Sequence, residues 1–442
     1  MKKIVLLCLV IGCEAFANAA ADSPVAKPSS AVEITAEFVN QLADEAQTNN
    51  PSLRAAEARV QAASQHEKTI RTWEDPTARF GVMPAEESMR AEDGDLIYGV
   101  EQALPVFGKP QAARRVAEEE TQFEKAEADS KFQKLRRDIA QTVFRVGLAE
   151  RVVELGEEDL QWLRTIKATA EQRYATGDSS QMDVLRAQNE VDKRATQLKT
   201  DQDTLSHERL NLNRWLNRDL HAPWPSLRLP PVANPVHYNR RLVELAVKNE
   251  PDLKVRFRQI KQAEAQADQT RRRRYPDFNV GAEIRQFSQT GEFRQSMLAV
   301  SFNLPWGNRK KYEAEFQRDQ EKVKAAQLEA ADYELAVRDE IYHLTILIDA
   351  ARREALLYRD TVIPRSEAAL KSTRVAWESD RGTFQDLLEA RRMLVEAHLM
   401  HAKAVTEQYH MLSELILCCG LGDLEALQMI GALPDSNTEE KE

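Results

Sequence analysis

The chain has 442 residues, of which 30% are charged and only 15 are glycine. Its hydrophobic share of 42%, to which alanine contributes strongly, suits long helices with narrow apolar seams better than a thick globular core. The net charge of −10 provides no basic surplus, which argues against a nucleic-acid-binding protein.

Residues 1–19 have the pattern of an export signal, with Lys2 and Lys3 before an apolar run and small residues at 17–19 for cleavage. The Val-Ile-Gly-Cys sequence that ends at Cys13 also fits a lipoprotein signal, in which Cys13 is the lipidated residue. Both alternatives take the protein out of the cytoplasm.

An offset of 200 positions (251 − 51 = 200) recurs along the chain and indicates a tandem duplication. The repeated unit is a helix, two strands, a long helix and a shorter returning helix. The landmarks that carry the offset are Pro51 and Pro251, Pro76 and Pro276, Leu104 and Leu304, and Pro105 and Pro305. The predicted domains are repeat 1 at 36–217, a proline-rich linker at 218–238, repeat 2 at 239–420 and a tail at 421–442.

Two strands are predicted in each repeat, where the hydrophobic period changes to alternation. Pro76 and Pro276 precede the strands, and the Leu-Pro pairs at 104–105 and 304–305 mark the strand-to-helix junctions. Strand lengths approach the roughly 9–11 residues that a tilted transmembrane strand needs, although an ordinary half-buried sheet alternates in the same way. The predicted strands are Ala78–Met83, Asp95–Leu104, Phe278–Phe287 and Ser296–Leu304.

A long helix is predicted after each pair of strands. No further proline occurs between Pro110 and Thr176, a stretch that would span about 100 Å as a helix. The counterpart at 310–380 contains Pro364, which is expected to bend it. Such helices must pack against other long helices, because their apolar stripes are thin.

Each long helix is predicted to end in a tight turn and to return as a hairpin. Gly177 and Gly382 supply the glycine stops. A hydroxyl residue then caps each returning helix, and an aspartate three residues later completes a capping box. The two boxes are Ser180 with Asp183 and Thr383 with Asp386.

Four strands in one chain cannot close a membrane barrel, which requires about eight or more. An open sheet with an apolar face would leave both of its edges unprotected. The export signal and the bilayer-length strands therefore predict a barrel assembled from several copies.

This organisation resembles the TolC-like outer membrane factor family of outer membrane efflux proteins. The resemblance covers nearly the whole chain after the export signal, and the order and duplication of its motifs carry it rather than any single motif. The motifs are the helix starts at Pro51 and Pro251, the strand exits at 104–108 and 304–307, the turns at 174–177 and 382–383, and the segments 183–185 and 386–390.

The resemblance implies a mainly α fold with a small β part. Long helical hairpins are expected to form a tunnel through the periplasm. Four transmembrane strands from each chain are expected to contribute to the twelve-stranded barrel of a homotrimer in the outer membrane. Nothing in the sequence requires a cofactor.

The resemblance also implies that the chain is the exit duct of a tripartite efflux pump, which conducts its substrates passively and is not an enzyme. Its partners would be a periplasmic adaptor (membrane fusion protein), an inner-membrane transporter and outer membrane lipid. The hairpin tips at Gly177, Ser179, Gly382 and Thr383 are expected to dock on the adaptor. The alternative function is a soluble periplasmic coiled-coil scaffold or adaptor, which would leave the strands without a role. Metal ions, toxic organic molecules and polypeptides all remain open as substrates.

Asp386 and Glu389 lie three residues apart, just beyond the second tip. In the family, carboxylates in this segment ring the narrow channel mouth and attract cations. The alternative is structural: Asp386 caps its helix and Glu389 pairs with Arg392.

Two further clusters have structural alternatives. The four arginines at 271–274 could contact lipid head groups or simply stabilise the C-terminus of a helix. His398 and His401 share a helix face, but no third ligand stands at a metal-binding spacing, so no metal site is predicted. Cys418 and Cys419 are adjacent and are not expected to bridge each other.

Overall fold

A computed structural model describes residues 31–84 and 94–421. The predicted export signal, Cys13, the connection at 85–93 and all but the first residue of the predicted tail lie outside the described residues. Helices dominate the fold, and the β part is small, as predicted.

Nine α-helices lie in the described residues, and four of them belong to repeat 1. They are α1 (Ala36–Asn49), α2 (Pro51–Thr69), α3 (Lys109–Thr176), α4 (Gln181–Leu216), α5 (Arg240–Asn249), α6 (Pro251–Arg272), α7 (Arg309–Leu357), α8 (Ile363–Glu378) and α9 (Phe384–Cys419).

The first two helices of each repeat are separated by a cap followed by proline. The Asn50 side chain accepts a hydrogen bond from the Ser52 N–H at 2.8 Å, and the Glu250 carboxylate accepts one from the Leu253 N–H. Proline then occupies the first helical position, where its missing N–H is not needed. The same local chemistry therefore divides both helical runs at corresponding points.

The long helix of repeat 1 is continuous, whereas that of repeat 2 is interrupted. With 68 residues, α3 spans about 100 Å. Between α7 and α8 the chain makes one π-helical turn, Tyr358–Val362, which ends two residues before Pro364. Because proline has no N–H to donate and its ring crowds the preceding turn, the helix widens there. The structure thus shows a π-helical turn near Pro364, and the predicted bend there stays a prediction.

The main core lies midway along α3, where the C-terminal ends of α4 and α9 pack against it. It combines residues from α1, α3, α4, α5, α7 and α9, and its fully buried members include Ile139, Leu212, Ile341, Ile348 and Leu412. Thin apolar stripes on several helices thus converge on one core, as expected for helices that cannot bury a wide face alone.

The strands form two sheets. They are β1 (Val32–Glu33), β2 (Thr77–Met83), β3 (Asp95–Leu104), β4 (Leu227–Arg228), β5 (Phe278–Phe287) and β6 (Phe293–Phe302). The larger sheet has the order β2-β3-β5-β6 with every pair antiparallel, and β1 and β4 form a short parallel pair.

The predicted bounds of the last strand, Ser296–Leu304, are wrong. The pairing of β6 with β5 begins at Phe293 opposite Gln286 and ends at Phe302 opposite Phe278. The strand is therefore shifted toward the hairpin turn, because its partner sets the register and the sequence alternation alone does not.

The linker at 218–238 packs against the helices. The Asn213 amide of α4 donates to the carbonyls of Leu220 and Ala222, and the Trp224 indole N–H donates to the Asn213 side-chain oxygen at 2.7 Å. On α9, the Gln408 side chain makes two hydrogen bonds to the backbone of Ala233. The linker is thereby attached to both repeats.

Candidate functional site

The four-stranded sheet has one continuous apolar face. Because the strands pair in register, Phe80 lies opposite Tyr98, which lies opposite Ile284. Leu298, the most exposed large apolar side chain in the described part of the chain, has 85% of its surface accessible. Other exposed members of this face are Val82, Val100, Val280, Val300 and Phe302.

The opposite face of the sheet is polar and holds ion pairs. Arg79 and Glu101 are 2.8 Å apart across β2 and β3, and Arg294 bonds Asp95 at 2.6 Å. A sheet that is apolar on one side and charged on the other matches a membrane strand pattern with lipid on one side and water on the other.

Both outer strands of this sheet are unpaired on one side. All ten residues of β6 are exposed, and β2 forms the other edge. Unpaired backbone groups at an apolar sheet edge are costly in lipid, so the sheet requires further strands from outside this chain. No helix in the part of the chain that the structure describes is long and apolar enough to cross a membrane.

The strand-to-helix junction of repeat 1 is a strained turn. Leu104 ends β3, and Pro105 leads to Phe107 and Gly108, which both have left-handed backbones with φ 57° and 66°. A Cβ at Gly108 would displace Nη1 of Arg272, the far end of a flexible side chain, so it is mainly the left-handed backbone that favours glycine here.

The corresponding junction of repeat 2 is open. Leu304 lies beyond the end of β6, and Pro305 begins a 3₁₀ turn, Pro305–Asn308. A Cβ at Gly307 would meet nothing within 4 Å. At the start of each strand pair, Pro76 immediately precedes β2 and Pro276 lies two residues before β5.

The first hairpin tip is a glycine-stopped turn, as predicted. Gly177 is left-handed with φ 88°, and the Asp178 N–H donates to the Arg173 carbonyl at 2.9 Å. The Ser180 side chain caps α4 by accepting from the Asp183 N–H, but the Asp183 carboxylate accepts from Ser179 Oγ. The predicted capping box is therefore only half formed.

The second hairpin tip differs from the prediction that Gly382 stops the helix. The last residue of α8 is Glu378, and the left-handed residue is Asp380, with φ 56°. A Cβ at Gly382 would lie only 3.0 Å from Ala376 Cβ, so this glycine allows a close approach of the chain to itself.

The Thr383 capping box at the start of α9 is complete. Asp386 N–H donates to Thr383 Oγ1 at 3.1 Å, and the Asp386 carboxylate accepts from both the N–H and the hydroxyl of Thr383. Glu389 lies 3.7 Å from Arg392, which also bonds Glu190 at 2.7 Å. Both contacts of the structural alternative are thus present, while Asp386 and Glu389 remain exposed on the same helix face.

A second, smaller core joins the two hairpins near their tips. Trp377 and Phe384 of repeat 2 pack with Leu163, Ile166 and residues of α4. The Arg173 guanidinium lies over the Trp377 ring, donates to the Trp377 carbonyl at 2.8 Å and pairs with Asp380. Beyond this core, apolar side chains at the first tip are exposed: Tyr174, Met182 and Leu185.

A buried charge network lies behind the tips, which sequence patterns did not indicate. Asp159 of α3 bonds Arg391 of α9 at 2.8 Å and lies 3.6 Å from Arg194 of α4. Arg391 also stacks on Trp162, with 5.1 Å to the ring centroid. These residues are far apart in the sequence, so only the folded chain reveals that one carboxylate joins three helices.

In the described residues, no group of three or more histidine, cysteine, aspartate or glutamate side chains is arranged to hold a metal ion. Burial, with nearby arginines, lowers the pKa values of His398 and His401. Burial raises the pKa of the Cys418 thiol. Burial also raises the pKa of the Cys419 thiol, to about 12. Both free thiols therefore stay protonated at neutral pH.

A family model described as outer membrane efflux protein matches residues 42–218 and 242–420. The outer-membrane channel OprN superposes with a TM-score of 0.77 at 15% identity, covering 87% of this chain and 90% of that chain. VceC from Vibrio cholerae gives 0.73 at 18% identity, covering 87% and 96%. The Campylobacter jejuni channel CmeC gives 0.74 at 14% identity, covering 95% and 93%. These likenesses show a shared fold. A comparison with curated protein sequences gives no match.

Proposed function

The chain belongs to the outer membrane efflux protein family, and we propose that it is the exit duct of a tripartite efflux pump. In this proposal it conducts substrates passively from an inner-membrane transporter and a periplasmic adaptor to the exterior. Its sheet lies in the outer membrane, and its helices extend into the periplasm.

The open sheet is the observation that carries the proposal. One chain provides four strands with an apolar face and two bare edges, and three copies would provide twelve (3 × 4 = 12). Twelve strands are sufficient for a closed membrane barrel, and closure would pair the edges at β2 and β6. The helical part, in which α3 alone is about 100 Å long, would continue this barrel as a tunnel.

Oligomer formation and conductance test this part of the proposal. We expect light scattering of the detergent-purified protein to give three chains per particle, and planar bilayers to show stable channels. A folded monomer that remains soluble without detergent and produces no channels would instead support the periplasmic scaffold.

The hairpin tips are proposed to dock on the adaptor. They are the ends of the helices furthest from the sheet, and Tyr174, Met182 and Leu185 expose apolar surface there. Ser179→Cys and Thr383→Cys should form crosslinks to the adaptor in cells. Ser206→Cys, at an exposed position far along α4, is the matched control. Crosslinks only from the control would reverse the proposed orientation.

The channel mouth is proposed to include Asp386 and Glu389. Both carboxylates are exposed near the second tip, and three chains would place up to six of them around one ring. Such a ring would attract cations and weaken the entry of anions. The Asp386 carboxylate is held by Thr383, which carries no charge, so it would keep its negative charge in the ring. Glu389 lies 3.7 Å from Arg392, which also pairs with Glu190.

A further inference from the structure

A cleft of about 350 Å³ lies between the end of α6, the 3₁₀ turn after β6 and the start of α7. Arg271, Arg274 and Arg309 line it together with aromatic rings that include Tyr275 and Trp306. The cleft is therefore both basic and aromatic.

The cleft has a surplus of positive charge. The Arg271 side chain makes no hydrogen bond or ion pair with any residue that the structure describes. The Arg274 side chain donates to the Tyr275 hydroxyl at 3.1 Å. Arg309 bonds Glu313, which is the one carboxylate among the described lining residues. Three cations thus face one anion. The hydrogen bond from Arg274, with the charges of neighbouring arginines, lowers the pKa of Tyr275, as expected where the potential is positive.

The cleft lies at the helix-side boundary of the apolar sheet face. The Tyr275 ring stacks on Phe107 at 5.0 Å, and Phe107 contacts Phe278, the first residue of β5. Phe278 in turn stacks on Phe302, the last residue of β6, at 5.3 Å. A row of aromatic rings beside an apolar surface is typical of the membrane interface, and basic side chains there meet the lipid phosphates.

The helix dipole explains only part of this arginine cluster. Cations at the last turn of α6 are stabilised by the helix dipole, which accounts for Arg271. Arg309 begins α7, where the same dipole disfavours a cation. At the 200-residue offset, residues 71–74 are Arg-Thr-Trp-Glu, so repeat 1 lacks the four arginines.

The counterpart of Arg309 in repeat 1 is Lys109, which already has two hydrogen-bond partners. Lys109 donates to the Tyr275 carbonyl at 2.7 Å and to the Asp277 carboxylate. The basic cleft is thus specific to repeat 2, and its charge calls for an external anion.

We propose that this cleft binds the phosphate of an anionic glycerophospholipid in the membrane leaflet on the helix side of the sheet. Guanidinium groups bind phosphate through two parallel hydrogen bonds, and the aromatic rings pack on the glycerol and upper acyl chain. The inference rests on the proposed function, since a membrane-inserted sheet brings the cleft to lipid level.

The test measures lipid binding to the detergent-purified full chain by native mass spectrometry. The wild type is titrated with phosphatidylglycerol, phosphatidylcholine and inorganic phosphate. We expect phosphatidylglycerol to bind preferentially and the double variant Arg271→Gln/Arg274→Gln to lose affinity by about 5-fold per arginine, roughly 25-fold together. Arg273→Gln is the matched control, because Arg273 belongs to the same run but lines a different cavity.

Three results would overturn the proposal. Equal binding of both lipids, or an equal loss in Arg273→Gln, would indicate unspecific surface charge. Displacement of the lipid by millimolar inorganic phosphate would indicate a free-anion site. The third result has two parts: no lipid preference, and a disulfide between neighbouring copies of the double variant Tyr312→Cys/Trp73→Cys. It would show that a second copy covers the cleft. Channel conductance is recorded in parallel: normal channels without lipid preference reject only the lipid site, whereas absence of channels rejects the duct itself.

Discussion

The two repeats carry the same Leu-Pro motif at the end of their second strand, but one junction lies inside the sheet and the other at its edge. In repeat 1, β3 is paired on both sides, and Arg272 of repeat 2 donates to the carbonyls of Phe107 and Gly108. In repeat 2, β6 is the edge strand, and Trp306 beyond it has 61% of its surface exposed.

Position in the sheet therefore decides what the same motif does. The inner junction is closed by contacts from the other repeat, so its backbone has little freedom. The outer junction has no such neighbour within the described chain and presents its arginines and aromatic rings to the surroundings. A duplicated sequence thus supplies one structural joint and one external surface.

The largest expected effect is the difference in stability between variants at Gly108 and Gly307, the glycines that follow the two Leu-Pro motifs. Gly108→Ala should lower stability by about 2–3 kcal/mol, because alanine is strained at φ 66° and its Cβ displaces Arg272. Gly307→Ala should change stability by less than about 0.5 kcal/mol, since its Cβ meets open space. Chemical unfolding in detergent, followed by circular dichroism, measures both variants. Equal losses would contradict the distinction between a closed and an open junction.

The next effect compares Asp319 of repeat 2 with Glu119, its counterpart in repeat 1. Arg318 and the hydroxyl of Thr270 stabilise the Asp319 carboxylate, whose pKa is lowered to about 2. Glu119 Oε2 is buried and has no hydrogen-bond partner among the described residues. Asp319→Asn should therefore cost about 1–2 kcal/mol at neutral pH, and Glu119→Gln should cost less.

The contribution of Asp319 to stability should decrease at acidic pH. Because folding lowers this pKa, the stabilisation is fully present above the ordinary aspartate value of 3.8 and is lost as the pH falls toward 2. The stability difference between the wild type and Asp319→Asn should shrink across that window. A difference that is independent of pH would show that the carboxylate charge is not the cause.

A smaller effect concerns the contact between the two hairpin tips. Arg173→Ala removes the cation–π contact with Trp377 and the ion pair with Asp380, so the tips should open locally more often. We expect the local opening free energy to fall by about 1–2 kcal/mol, measured by hydrogen exchange of the tip amides. Arg381→Ala is the control, since among the described residues the Arg381 side chain bonds Ser379 of its own turn. Equal exchange in both variants would exclude a specific link.

The smallest effect on stability accompanies the proposed charge ring. Asp386→Asn/Glu389→Gln should reduce cation selectivity and the block by multivalent cations in single-channel recordings. The weakened cap should cost at most about 1 kcal/mol. In repeat 1 the corresponding residues are Asp183 and Arg186, so Asp183→Asn is the matched control and should leave selectivity unchanged. Unchanged selectivity in the double variant, with a clear loss of stability, would favour the capping role.

Local patterns in the sequence determined where most elements begin and end. The strands Asp95–Leu104 and Phe278–Phe287 have their predicted bounds, and the break before Pro51 and the stop at Gly177 lie where the sequence indicates. Alternation, caps, proline and glycine act within a few residues, so their consequences can be predicted without knowing the fold. The duplication was equally visible, because it needs only a constant offset.

Only the tertiary structure decided which of these elements meet. The order β2-β3-β5-β6, the shifted bounds of β6, the left-handed Asp380 in place of Gly382 and the joining of three helices by Asp159 all depend on partners distant in sequence. Register and buried ion pairs are chosen by the packing of whole helices and strands, and a single local pattern is compatible with several such arrangements. For the same physical reason, two copies of one motif became a closed joint at the centre of the sheet and an open basic cleft at its edge.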